Sequence, residues 1–257
     1  MVNFMSLNHD LYGKDMELIS NYNPDLKYSD PELVDILDNF LLYDVFENCT
    51  LSTRSRLLVT LATLIANQSL NQYSEILIKS LDLGISPIEI KEVLYQSLPY
   101  IGLAKTYDFL NKTNDVFKDI GINLPLPNQS TTNRDNRIKV GYDIQANNFG
   151  KDFIDSSIEN APNNQKHIWD FISGFAFGDF YARNGLSDKD RELVSFTYIL
   201  SLRGCEDQLR IHVKGNLKVG NDKETLISTI SALVPYIGFP RVHNALAIVN
   251  EVCNKLD

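Results

Sequence analysis

Four side chains between positions 191 and 213 have the types and spacing to do chemistry: Glu192, Cys205, Gln208 and His212. The last three stand at i, i+3 and i+7, so at 3.6 residues per turn they fall on one stripe of one helix. Gly204 marks the end of the preceding helix, which puts Cys205 near a helix N-terminus, where backbone N–H groups and the dipole favour a thiolate. Glu192 belongs to that preceding helix. If the two helices pack antiparallel through the tight Arg203-Gly204 turn, His212 approaches the part of the bundle that holds Glu192. A carboxylate beside an imidazole orients it for acid–base work. Arg191, Arg203 and Arg210 are cations in the same stretch, with solvated surface charge as their plainer reading, and Gln208 is a further polar side chain.

Taken singly, each residue has a plainer reading. A lone Cys is usually a small buried hydrophobe, a lone His packs or lies on the surface, and Glu192 would serve as an acidic charge near a helix start. An internal repeat lifts them above that. PYIG at 99–102 recurs at 235–238, Gly84 recurs as Gly220, and FLLYDVFENCTLSTRSR (40–56) matches FAFGDFYARNGLSDKDR (175–191). A period this long is a duplicated domain rather than a solenoid. The positions matching Glu192, Cys205 and His212 hold Leu57, Ser69 and Ile76, while Gln72 matches Gln208. The capable residues occur in one copy only, which suggests one working half and one supporting half.

The elements that must position them read as helices. Ser29-Asp30-Pro31-Glu32 is a helix start, followed by apolar residues at helical spacing. Thr53 is expected to cap the next helix. A third runs from about Leu70 to Leu83 and stops at Gly84, and Ser86-Pro87-Ile88-Glu89 is a capping box opening a fourth, to about Leu98. Pro99 and Gly102 then break the chain before a fifth, to about Lys118. Residues 138–162 show no clear pattern; a helix is expected over about 164–182, and Ser187 opens the second set. The expected organisation is an N-terminal arm (1–29), a first repeat with a degenerate site (30–120), a linker (121–137) and a second repeat with the candidate site (138–257). Few segments alternate as strands do, so the fold class is all-α: two tandem helical repeats packed as one pseudo-symmetric unit.

Composition narrows the partners. Lys and Arg total 24 against 33 Asp and Glu, a net charge of −9, which disfavours nucleic acid and anionic membranes. Three widely spaced cysteines make no disulfide framework, and with neither a signal-peptide pattern nor a long apolar run the expectation is a cytoplasmic protein. His9 and His167 have no partners at metal-ligand spacing, so no metal is expected; His243 matches Tyr107 and reads as helix packing, and no phosphate-binding Gly loop is present.

LSDKDRELVSFTYI (186–199), GCEDQLRIHVKGNLKVG (204–220) and VPYIGFPRVHNALAIV (234–249) together resemble the carboxymuconolactone decarboxylase family, which also includes the alkylhydroperoxidase (AhpD) proteins. The likeness covers 175–252 well and 40–117 more weakly. What it implies depends on the branch. The alkylhydroperoxidase branch uses a C-x-x-C pair with a following His and an upstream Glu as proton relay. Here Cys205, His212 and Glu192 match, but Gln208 replaces the second Cys, so an intramolecular disulfide cycle lacks its second sulfur. The Q-L-R-x-H of the decarboxylase branch fits better. It implies a His acting as general acid on a small carboxylated lactone that serves as its own electron sink, so that no cofactor is needed, with Arg191, Arg203 and Arg210 as candidates for holding the carboxylates and Gln208 as a further substrate contact. The alternatives are a Cys205-dependent peroxidase or thiol reductase and a non-catalytic oligomeric scaffold. Single-copy relatives form rings of three or six, and broad apolar faces at 57–66, 196–202 and 230–239 argue for self-association, so the expectation is a homo-oligomer, most simply a trimer, acting on a small molecule.

Overall fold

The chain is known as a computed structural model that describes residues 25–255, and among these every regular element is helical. The expected arm falls largely on residues 1–24, with His9, outside the described residues. The first repeat runs α1 (Leu26–Ser29), α2 (Pro31–Asn39), a π-helical segment Phe40–Val45, α3 (Thr53–Ala66), α4 (Leu70–Asp82), α5 (Pro87–Gln96), α6 (Leu98–Ile101) and α7 (Leu103–Asp119). Then follow α8 (Arg137–Phe149), α9 (Lys151–Glu159), α10 (Lys166–Phe171), a second π-helical segment Ile172–Tyr181, α11 (Asp188–Ser201), α12 (Glu206–Val219), α13 (Lys223–Ile237) and α14 (Phe239–Cys253).

The internal repeat is structural as well as textual. Both π-helical segments lie in the matched stretches, at 40–45 and 172–181. α3, α4 and α7 correspond to α11, α12 and α14, and the joints at Gly102 and Gly238 share one conformation, φ 79° ψ 165° and φ 75° ψ 158°. Local chemistry sets the boundaries. Ser86 and Glu89 form a complete capping box before α5, and Ser187 and Asp190 another before α11, each satisfying two backbone donors that would otherwise lack partners. At α3 the cap is Ser52, not Thr53: the Ser52 side chain accepts from the Ser55 N–H.

α3 and α11 form the centre. Every residue of 57–66 and of 191–201 is buried. Helices apolar on all sides belong inside a core, and here each is covered by the other repeat. Val59 of α3 sits in the core of the second half, while Val194 and Tyr198 of α11 sit in the core of the first. Tyr198 Oη donates to the Val93 carbonyl at 2.8 Å, and the Thr63 and Ser201 hydroxyls meet at 2.5 Å. The broad apolar faces at 57–66 and 196–202 are therefore closed within one chain and require no second copy.

The stretch 138–162 that resisted reading is α8 and α9. α8 crosses the second π-helical segment backbone to backbone: a Cβ on Gly141 would lie 1.8 Å from the Ser173 carbonyl oxygen, and one on Gly178 2.2 Å from that of Arg137. This crossing explains why the helix expected over 164–182 continues past Phe171 as a π-helix whose glycines face α8.

An ion-pair cluster ties the two capping boxes together. Arg54 of α3 donates to Glu89 Oε1 at 2.7 Å and grips both Asp190 oxygens at 2.9 and 3.0 Å. Burial pushes both carboxyls up, but the hydrogen bonds from Arg54, Ser86 and Ser187 outweigh it and leave both below the ordinary carboxylate range. Carboxyls depressed in the folded state stabilise above their unfolded pKa of about 4 and lose that contribution as pH falls through the folded values. Arg54 is 40% exposed, so Arg54→Met should cost only about 1 kcal/mol at pH 7. In urea unfolding, the gap to wild type should close as the pH drops below about 4.

Candidate active site

The site begins with a helix turn that brings two sequence-distant groups into contact. After α11 the chain turns through 202–205 and returns as α12, and His212 Nδ1 meets Glu192 Oε2 at 2.9 Å. Glu192 is fully buried and His212 is 7% exposed. Glu192 is held from three sides: Oε1 accepts from Asn148 Nδ2 at 3.3 Å, its carbonyl accepts from Asn216 Nδ2 at 3.0 Å, and Gly215 leaves the room it occupies. A Cβ on Gly215 would lie 2.7 Å from Glu192 Oε2 and 2.6 Å from the Phe149 ring.

An ionised carboxylate only accepts, so the pair fixes the tautomer with the proton on Nδ1. Nε2 has no hydrogen-bond partner among the described residues, yet is not sealed off: the one buried unpartnered side-chain nitrogen or oxygen is Arg191 Nε. The imidazole is wedged edge-on between Phe149 at 5.3 Å and Tyr100 at 5.6 Å, measured between ring centroids. Tyr100 comes from the first repeat, so both halves build the site. Its hydroxyl continues a buried chain: Tyr100 Oη meets Tyr181 Oη at 3.0 Å, Tyr181 Oη donates to Ser195 Oγ at 2.5 Å, and Gln96 Nε2 donates to the same oxygen at 3.1 Å. Burial, reinforced by the Glu192 charge, pushes both tyrosines up and keeps them protonated donors.

The other expected site residues lie elsewhere. Cys205 is the N-cap of α12 and stands outside the helical stripe, with Gln208 exposed one turn on. Cys205 and Arg203 line a separate cleft of about 370 Å³, with Arg241 and an apolar floor that includes Leu209 and Ile248, and neither Glu192 nor His212 borders it. Arg210 is held by Glu251 and Asp207, both at 3.0 Å. Arg191 is fully buried and bound to Glu92, Gln96 and two backbone carbonyls. It fastens the repeats together and is closed to substrate, which corrects its reading as a carboxylate clamp. Sequence reasoning missed Asn148, Phe149, Tyr100 and Tyr181. Only Tyr100 carried a signal, as part of the repeated PYIG.

No disulfide joins the described cysteines, no described helix is long and apolar enough to cross a membrane, and no described group of His, Cys, Asp and Glu is arranged to hold a metal ion. The pattern of the carboxymuconolactone decarboxylase family matches residues 31–114 and again 169–251, one match over each helical repeat. The chain belongs to that family. Within it, the chain is 32% identical over 124 residues to a 4-carboxymuconolactone decarboxylase from Acinetobacter baylyi, a match over 48% of this chain and 92% of that protein. That relative is thus about half as long. A solved Burkholderia xenovorans chain, provisionally described as a gamma-carboxymuconolactone decarboxylase subunit, shares the fold at TM-score 0.54 and 18% identity, over 95% of both chains.

The first repeat carries the apolar version of the pair. Leu57 and Ile76, at the positions of Glu192 and His212, are each 3% exposed and share one core cluster. Removing one partner of a buried charged pair typically costs about 3–5 kcal/mol, whereas replacing both with apolar residues is close to neutral or stabilising. His212→Ile alone should therefore lose stability on that scale, and Glu192→Leu alone less, since a neutral imidazole remains. The Glu192→Leu/His212→Ile double variant should recover to wild-type stability or above. Urea unfolding of the three variants checks the cycle.

Proposed function

We propose that this chain is a cofactor-independent decarboxylase of small cyclic carboxylates of the carboxymuconolactone type, with His212 as the acid–base group and Glu192 as its positioning partner. One observation carries the reading: a buried carboxylate fixes Nδ1 of a histidine whose Nε2 has no partner among the described residues, in the half of the chain where the family match includes both residues. The name of the Acinetobacter relative supplies the substrate class.

The chemistry asked of the site is modest. The bond between the ring carbon and its carboxylate breaks, CO2 leaves, and the electron pair delocalises into the unsaturated lactone. Nε2 of protonated His212 then delivers a proton to carbon and recovers one from water. Glu192 stabilises the imidazolium that this cycle requires, and the Phe149 and Tyr100 rings limit water around it.

The decisive assay is CO2 release from carboxymuconolactone. His212→Ala should lower kcat/KM by about 10²–10⁴, and Cys205→Ser should leave it unchanged. In D2O the product should carry one deuterium, on the ring carbon that receives the proton. Peroxide reduction abolished by Cys205→Ser, with no lactone turnover, would overturn the reading in favour of a thiol enzyme.

We also propose that the chain acts as a homo-oligomer, with a trimer the simplest form. What supports it is an apolar residue exposed at the same place in both repeats, directly after PYIG: Leu103 at 63% and Phe239 at 58%. Sedimentation at micromolar concentration should show an assembly that Leu103→Glu and Phe239→Glu weaken. A stable wild-type monomer would refute it.

A further inference from the structure

Away from His212, a second charged site lies where the first repeat meets the linker and Arg183. α5, α7, Arg183 and the segment 124–129 enclose a pocket of about 560 Å³, a size that takes small ligands. Ile88, Leu110 and Leu124 give it an apolar wall, and Lys91, Arg183 and Tyr95 supply the polar side. Lys91 is 5% exposed, and its Nζ donates to Asn114 Oδ1 at 2.5 Å. Its only other neighbours of note are two aromatic faces, Tyr95 at 5.9 Å and Phe117 at 5.7 Å. No carboxylate pairs with it among the described residues. The single acid lining the pocket, Glu92, is already taken by Arg183 and Arg191, at 3.0 Å each.

An ammonium with three donors, buried with one neutral partner and no counter-ion, is an arrangement that a fold discards unless the charge is used. The second repeat does without the charge: counting from the shared PYIG, the positions of Lys91 and Glu92 hold Ile227 and Ser228. Burial also pulls Lys91 down to about 8, which leaves it mostly charged at neutral pH.

We propose that this pocket binds a small organic monoanion, a carboxylate with an apolar or aromatic body, its charge on Lys91 and Arg183 and its body against Tyr95 and the Leu110–Leu124 wall. Glu92 cancels one of its two arginine partners, so the pocket carries charge for a monoanion and supplies too few free donors for a phosphate. The site is separate from the His212 centre and does not depend on the reaction assigned there.

Sodium benzoate is the probe, with binding measured by calorimetry and by the Cε resonance of Lys91 in lysine-labelled protein, assigned by its loss in Lys91→Met. Wild type and His212→Ala should bind benzoate alike at one site, and the Lys91 resonance should move toward the charged form. Lys91→Met should bind at least tenfold more weakly, a loss of about 1.4 kcal/mol. That variant should melt no lower than wild type without ligand, because it removes an uncompensated buried charge, so its lost binding would not reflect unfolding. Absence of wild-type binding at about 10 mM, a range weaker than any useful pocket, would overturn the proposal. So would unchanged binding by Lys91→Met, loss of binding in His212→Ala, or displacement of benzoate by equimolar inorganic phosphate.

Discussion

The structure depends on one buried cation. Arg191 is fully enclosed, and its guanidinium reaches from α11 to Glu92 Oε2 and Gln96 Oε1 of the first repeat at 3.0 Å and to the carbonyls of Arg183 and Asn184 in its own repeat at 2.8 and 2.9 Å. Burial lowers its pKa, with Glu92 opposing the shift. Nε goes without a partner, an expense accepted for the four contacts the fork makes elsewhere. Removing Glu92 would strand the Arg191 charge in the core, at about 3–5 kcal/mol, whereas Glu92 also keeps Arg183 at 3.0 Å. The pair fixes how α11 sits against α5. Glu192, the next residue, points about 100° around the same helix, so the grip on the first repeat also aims the Glu192 carboxylate at α12.

From Gln96 the contacts run without a break to His212, through Ser195, Tyr181 and Tyr100. The interface between repeats and the wall of the site are thus one network. A site resting on rigid, mutually bonded elements keeps its geometry without a bound ligand. Here rigidity comes from buried polar groups that each have a definite partner, which an apolar interface would not specify as sharply.

Local signals made most of the fold legible: the capping boxes at Ser86 and Ser187, the stops at Gly84 and Gly220, and the repeated PYIG all act within a turn or two of chain. Antiparallel return through the 202–205 turn followed from the same signals, and with it the meeting of Glu192 and His212. α8 was illegible for a definite reason. Its buried residues, Gly141, Gln145 and Asn148, do keep helical spacing at i, i+4 and i+7. They are small or polar, because this helix packs by backbone approach at Gly141 and by hydrogen bonds to Ser173 and Glu192. A search for apolar periodicity passes over such a face. Arg191 was misread for a related reason: spacing reveals a cation but not the partner that the other repeat brings to it.

The asymmetry of the repeats gives the duplication its physical sense. One repeat fills the pair position with Leu57 and Ile76, the other with Glu192 and His212. An apolar pair gains stability from burial, about 0.8 kcal/mol for each CH2, while a buried carboxylate–imidazole pair at best recovers its desolvation. Two polar sites would draw on the stability of one small core twice. With the polar pair confined to the second half, the first half becomes a stable wall that still lends Tyr100 to the imidazole and Glu92 to Arg191. The first repeat therefore contributes to the candidate site through Tyr100 of PYIG and Glu92 of α5, while its own matched pair is apolar.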